Sequence, residues 1–238
     1  MFRFAEKHPV WFELLLIILA FLAAAVFSFV GGILNVHPEL SSSVGRIVVA
    51  TVLLLVFRRA FGPDKPLKNL VIVLPALLFA VWNLYYNLSS GASFGGVPFF
   101  VEALITAIVP ALFEEVLFRG IFLYNLRRSG CGEVKALLLS ALVFAAVHLT
   151  NLVGQSLGVV ALQVGYSLVV GLVFGAIYLK NGSLTQIVAA HFLIDYTNRL
   201  YLEPAQSASP LQLCLFAALL IAEAVYAYVL TAREKRRA

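Results

Sequence analysis

Six ionisable residues stand inside runs of Leu, Val, Ala and Phe where charge is costly: Glu114, Glu115, Arg119, His148, His191 and Asp195. Glu115 and Arg119 are spaced i,i+4, so on a helix they share a face and can pair. Glu114 is turned about 100° away from that pair and is free to meet other helices. Phe144 and His148 are again i,i+4, as are His191 and Asp195. Pro110, four residues before Glu114, removes a backbone donor and favours a bend there.

The set permits some chemistries better than others. No cysteine accompanies it, and Ser140 is two helical turns from His148, so a Ser–His or Cys–His nucleophile is poorly supported. The zinc signature H-E-x-x-H is absent. Two histidines and two glutamates on different helices leave a metal site open on spacing alone. The remaining option is a carboxylate acting as general base on water, which burial in a low-dielectric pocket favours near neutral pH. One histidine could then hold the water or protonate a leaving amine, and the other could donate to an oxyanion. For the Glu115–Arg119 pair a structural brace is the preferred reading, because each charge offsets the burial cost of the other.

These residues need helices to bring them together. Of 238 residues, 62% are hydrophobic and 12% charged, against roughly 45–50% and about 25% in soluble domains. The composition predicts an all-α, polytopic integral membrane protein, a single transmembrane domain over residues 1–238. A span takes about 20 apolar residues. About eight are expected, near 10–34, 44–60, 69–88, 98–125, 134–151, 157–179, 183–201 and 209–231. The first is too long for a signal-peptide core and is expected to remain as a helix. Glu114 lies thirteen residues before Arg127, and His148 thirteen after Lys135. Both therefore sit roughly 20 Å from one membrane face, and His191 and Asp195 bracket the same level. Three helices deliver their polar groups to one layer.

Basic residues set the orientation, since Lys and Arg are retained in the cytoplasm. Arg3, Lys7, Arg58, Arg59, Lys65, Lys68, Arg127, Arg128, Lys135, Lys180, Arg233, Lys235, Arg236 and Arg237 fall at one face. Arg46 and Arg199 fall at the other. The expectation is a multi-pass protein of the cell membrane with both termini cytoplasmic. The net charge of +5 follows from these clusters and does not indicate nucleic-acid binding. Gly171 and Gly175, one turn apart in "GLVFG", predict close helix packing. Glu13, Glu102 and Glu223 stand alone or toward helix ends and read as structural. Cys131 and Cys214 fall in a basic loop and an apolar run, so no disulfide is expected.

In order, "EEVLFR", "FAAVH" and "HFLID" resemble E-E-x-x-x-R, F-x-x-x-H and H-x-x-x-[N/D]. Together, with "NGSL" ahead of the last, they resemble the CPBP family of CAAX proteases and bacteriocin-processing enzymes, also called Abi, which includes the Ras-converting CAAX endopeptidase. The motif-bearing core runs from about 98 to 201. The resemblance implies a glutamate-dependent intramembrane endopeptidase using neither metal nor cofactor. In it Glu114 activates water with help from His148, Glu115 and Arg119 shape the site, and His191 with residue 195 forms the oxyanion hole. The Ras-converting branch has Asn where this chain has Asp195. An ionised aspartate would repel an oxyanion, so Asp195 must be protonated or must instead orient His191. The implied partner is a membrane-embedded or lipid-anchored peptide, either CAAX-type or leader-type. Two other classes are compatible with the same residues: a non-catalytic immunity or scaffold protein, and a proton-coupled transporter.

Overall fold

The computed structural model describes residues 8–57, 64–202 and 207–232. Among them are nine α-helices and no strand, with one isolated bridge between Phe94 and Tyr201. Helices α1 (Pro9–Ile33) and α2 (Pro38–Val56) form a hairpin. Two 3-10 turns, Leu70–Val73 and Pro75–Leu77, lead into α3 (Leu78–Ser89). Helix α4 (Val97–Glu115) runs on through a π-helical segment (Val116–Leu123) into α5 (Tyr124–Arg128). Helix α6 (Glu133–Val147) passes into a 3-10 turn (His148–Val153), followed by α7 (Leu157–Asn181), α8 (Leu184–Asn198) and α9 (Pro210–Ala232).

Local chemistry explains several of these boundaries. Prolines open α1, α2 and α4, where a missing N–H costs nothing. Ser156 and Ser183 cap α7 and α8 by accepting from Val159 N and Gln186 N. Gly182, at φ 65°, ends α7 in the left-handed region that glycine adopts without strain.

The architecture matches the all-α polytopic expectation in eight helical passages, with informative differences. The second begins at Pro38 and ends at Val56 instead of covering 44–60, because its proline-started first turn carries polar residues that hydropathy undercounts. The fourth is not one α-helix. Residues 116–123 form the π segment, and all eight are buried, so tertiary packing decides their winding. The fifth ends its α-helix at Val147 and leaves His148 at the C-cap. Five passages are long and apolar enough to cross a membrane: Val10–Ile33, Leu70–Ser89, Glu133–Val153, Leu157–Asn181 and Pro210–Ala232. Of the others, α8 is only 15 residues long, about 22 Å against the roughly 30 Å of a hydrocarbon core. Arg3, Lys7, Arg58, Arg59, Arg233, Lys235, Arg236 and Arg237 lie outside the described residues.

The π segment is the centre of the core, with Phe118, Phe122 and Leu117 fully buried. Helix α6 packs on α7, α4 on α8, and α9 on α7. On the outside, α1 and α9 expose Trp11, Leu22, Phe29, Leu211, Ile221 and Val225, a surface suited to lipid. Gly171 explains the tight α6–α7 approach: a Cβ there would sit 3.0 Å from Ala141 Cα and 3.1 Å from Ala141 Cβ. The packing expected of "GLVFG" is present, and at Gly175 a Cβ would collide with Leu137.

The two ends of the bundle are built differently. At one end the 64–69 loop is tied to the α7–α8 turn. Gln186 Nε2 donates to Lys68 O (2.7 Å) and Pro66 O (3.0 Å), and Asn181 Nδ2 donates to Gln186 Oε1 (2.6 Å). Lys68 Nζ donates to Lys180 O at 3.2 Å. Partial burial pushes the Asp64 pKa up, but hydrogen bonds from Ser183, Thr185 and Lys65 outweigh it and hold this loop carboxylate below its ordinary range. At the other end Gly95 N donates to Leu200 O (3.0 Å) and Leu202 N to Ser93 O (3.1 Å), joining the loops beside an open cavity.

Candidate active site

Glu114 and Glu115 close α4 just before the backbone changes winding. As the helical phase requires, they face opposite surroundings. Glu115 and Arg119 are fully buried, and Arg119 Nη1 donates to Glu115 Oε1 at 2.8 Å. The guanidinium lies over the Phe144 ring at 4.4 Å and near the Phe174 ring at 5.6 Å, a cation–π contact strengthened by exclusion of water. Its Nη2 donates to Gly171 O at 3.4 Å. Gly171 thus permits the close helix approach and also supplies an acceptor.

Glu115 does more than brace Arg119. His191 Nδ1 lies 2.8 Å from the same Glu115 Oε1. A carboxylate oxygen accepts, so Nδ1 carries a proton and the ring orientation is fixed. That leaves Nε2 facing Glu114 Oε2 at 3.9 Å and Asp195 Oδ1 at 3.8 Å. The i,i+4 spacing left open that Asp195 orients His191 through a direct hydrogen bond. The distance is too long for one, and the orienting role falls to Glu115. Both gaps suit an intervening water or reacting atom.

His148 is fixed in the same manner by a different acceptor. Its Nδ1 lies 2.9 Å from Phe144 O. The carbonyl accepts, so Nδ1 is the protonated nitrogen, and Nε2 is left with a lone pair. Phe144 is the hinge of the arrangement, with its ring 5.2 Å from the His148 ring and 6.2 Å from the His191 ring.

A cavity of about 990 Å³ has Glu114, Phe144, His148, His191 and Asp195 in its wall, whereas Glu115 and Arg119 lie behind it. Glu114 and Asp195 are partly exposed, at 15% and 28%, which separates them from the fully buried pair. Ser140 is engaged elsewhere, donating to Phe118 O at 3.1 Å. Among the described residues, no three His, Cys, Asp or Glu side chains form a metal-ligating group.

The other polar residues divide. Glu13 is buried and accepts from Asn125 Nδ2 at 2.6 Å, as a structural carboxylate should. Glu223 is likewise buried, away from the cavity. Glu102 is exposed and lines the cavity. Phe174 and the Gly171 carbonyl, which both contact Arg119, are absent from the sequence-based expectation. Their only signal was "GLVFG" itself, which places an aromatic between the two packing glycines. Cys131 and Cys214 are free thiols.

Residues 96–197 match the family model described as type II CAAX prenyl endopeptidase Rce1-like. The match covers α4 to α8, the stretch that carries all seven candidate residues: Glu114, Glu115, Arg119, Phe144, His148, His191 and Asp195. No curated protein and no solved structure matches the chain.

Proposed function

From the match of residues 96–197 to the model of the type II CAAX prenyl endopeptidase Rce1-like family, we propose that the protein is an intramembrane endopeptidase in which Glu114 activates water. The observation that carries this reading is the division between neighbours. Glu115 is sealed against Arg119 and His191, while Glu114 stands in the cavity wall 3.9 Å from His191 Nε2. Glu114 takes a proton from water, and the oxygen attacks the peptide carbonyl carbon. His148, held through Nδ1 by Phe144 O, presents Nε2 to position that water. The carbonyl oxygen becomes an oxyanion. His191, protonated on both nitrogens, donates through Nε2 to it while Nδ1 donates to Glu115. Collapse breaks the C–N bond, and the proton held by Glu114 passes to the leaving amine. Asp195, 3.8 Å from Nε2, serves as a neutral second donor. The substrate is a membrane-embedded or lipid-anchored peptide.

The test is cleavage of a membrane-anchored reporter peptide by purified protein in detergent. Turnover is expected without any ion gradient and undiminished by EDTA or phenanthroline. Activity lost in chelator and restored by zinc would move Glu114, His148 and His191 into a metal site. No cleavage here, together with solute uptake driven by a proton gradient in proteoliposomes, would favour the transporter.

A further inference from the structure

The polar rim of the cavity lies at one end of the bundle, the end poorer in Lys and Arg among the described residues. It includes Glu102, Asn151, Gln155, Gln163, Asn198 and Arg199. These belong to the start of α4, the turn after α6, the start of α7 and the end of α8. After 15 residues, about 22 Å, α6 gives way at His148 to a 3-10 turn whose Asn151 lines the cavity. Irregular backbone at membrane depth is tolerated where it lines water. The rim is therefore the aqueous entrance.

The opposite end is closed by the Asn181–Gln186–Lys68 network and is the basic one. Among the described residues it carries Lys65, Lys68, Arg127, Arg128, Lys135 and Lys180. The sequence places Arg58 and Arg59 in the same loop. The entrance side has Arg46 and Arg199, both in the cavity wall. Retention of Lys and Arg in the cytoplasm puts the closed end inside.

We infer that the active-site cavity opens to the extracytoplasmic face and that its substrate is a peptide segment displayed there by a membrane-anchored protein. This rests on the endopeptidase reading for what happens to the segment, and on charge and cavity geometry for where it enters. The rim amides can pair with an extended backbone. Trp82, Tyr166 and Phe216, with Trp82 and Phe216 stacked at 5.2 Å, give the cavity an aromatic wall for the membrane-anchored flank. A tail held in the cytoplasmic leaflet would meet the sealed end instead.

The test is thiol accessibility in intact cells, with Gln155→Cys and Ser129→Cys placed singly in a Cys131→Ser, Cys214→Ala background. Gln155 is at the entrance and Ser129 at the closed end, and both are exposed. A membrane-impermeant maleimide should label Gln155→Cys in intact cells and Ser129→Cys only after permeabilisation. The reverse pattern, labelling of both in intact cells, or labelling of neither until permeabilisation would overturn the inference. A reporter segment anchored for display outside should be cut, and its cytoplasmic counterpart spared. Cleavage of the cytoplasmic form alone would also overturn it. Labelling does not depend on catalysis, so outward labelling with no cleavage of either reporter would reject the endopeptidase reading while keeping the entrance where it is placed here.

Discussion

The two walls of the site, one behind the α4 terminus and one in front of it, are made from the same residue types and treated in opposite ways. Behind, Glu115 Oε1 is within 2.8 Å of both Arg119 Nη1 and His191 Nδ1, and aromatic rings cover the guanidinium. In front, Glu114 Oε2 and Asp195 Oδ1 stand 3.9 Å and 3.8 Å from His191 Nε2, and all three residues line the cavity. Charges in direct contact fix a geometry, and charges held just short of contact remain available for a substrate. One residue step along the helix separates the two uses.

Damage to the rear wall should therefore cost folding first. Arg119→Ala strands a fully buried Glu115 carboxylate and empties the space between Phe144 and Phe174. Loss of one partner of a buried pair costs about 3–5 kcal/mol. Collapse of expression, or a large drop in thermal stability in detergent, is the expected result. A stable, well-folded Arg119→Ala protein would show that the rear wall is not a brace.

A smaller effect is expected at Gly171. Gly171→Val forces side-chain atoms against Ala141 and Phe144, and overpacking of this kind costs roughly 1–3 kcal/mol. It also displaces the carbonyl that accepts from Arg119. Thermal unfolding should shift down while the protein remains folded, and reporter turnover should fall with it. An unchanged Tm would mean that α6 and α7 have slack that the 3.0 Å approach to Ala141 Cα does not suggest.

The mildest change belongs to the front wall. Glu115 already orients His191, so Asp195 is released from that task. Asn is nearly isosteric, cannot ionise and carries donor hydrogens. Asp195→Asn should keep turnover within about tenfold of wild type and hold it better at alkaline pH. A pH–rate profile far below wild type at every pH would return an essential charge to Asp195.

How much of this was legible in the sequence depends on which interactions are local. The i,i+4 pairing of Glu115 with Arg119, the separate facing of Glu114 and the shared depth of the three helices follow from helical periodicity, and the structure contains them. The eight helical passages followed from hydropathy to within a few residues except at α2. What periodicity could not supply were contacts between helices far apart in the chain. His191 Nδ1 on Glu115 spans 76 residues, and Arg119 Nη2 on Gly171 O spans 52. Local spacing left Asp195 open as either a protonated donor or the group that orients His191, and an acceptor on α4 holds His191 Nδ1 instead. The π segment was hidden for a related reason. Its residues are apolar in either winding, and only the packing of the finished bundle selects one.

The claim that matters most is that adjacent glutamates have divided labour, and paired measurement of Glu114→Gln and Glu115→Gln tests it directly. Each variant is followed by reporter cleavage and by thermal unfolding in the same detergent. Glu114→Gln should lose about 10²–10⁴-fold in turnover, the usual cost of removing a general base, with Tm near that of wild type. Glu115→Gln should lower Tm clearly, because it weakens the contacts to both Arg119 and His191. Near-wild-type turnover in Glu114→Gln, or an unfolding shift as large as that of Glu115→Gln, would contradict the account.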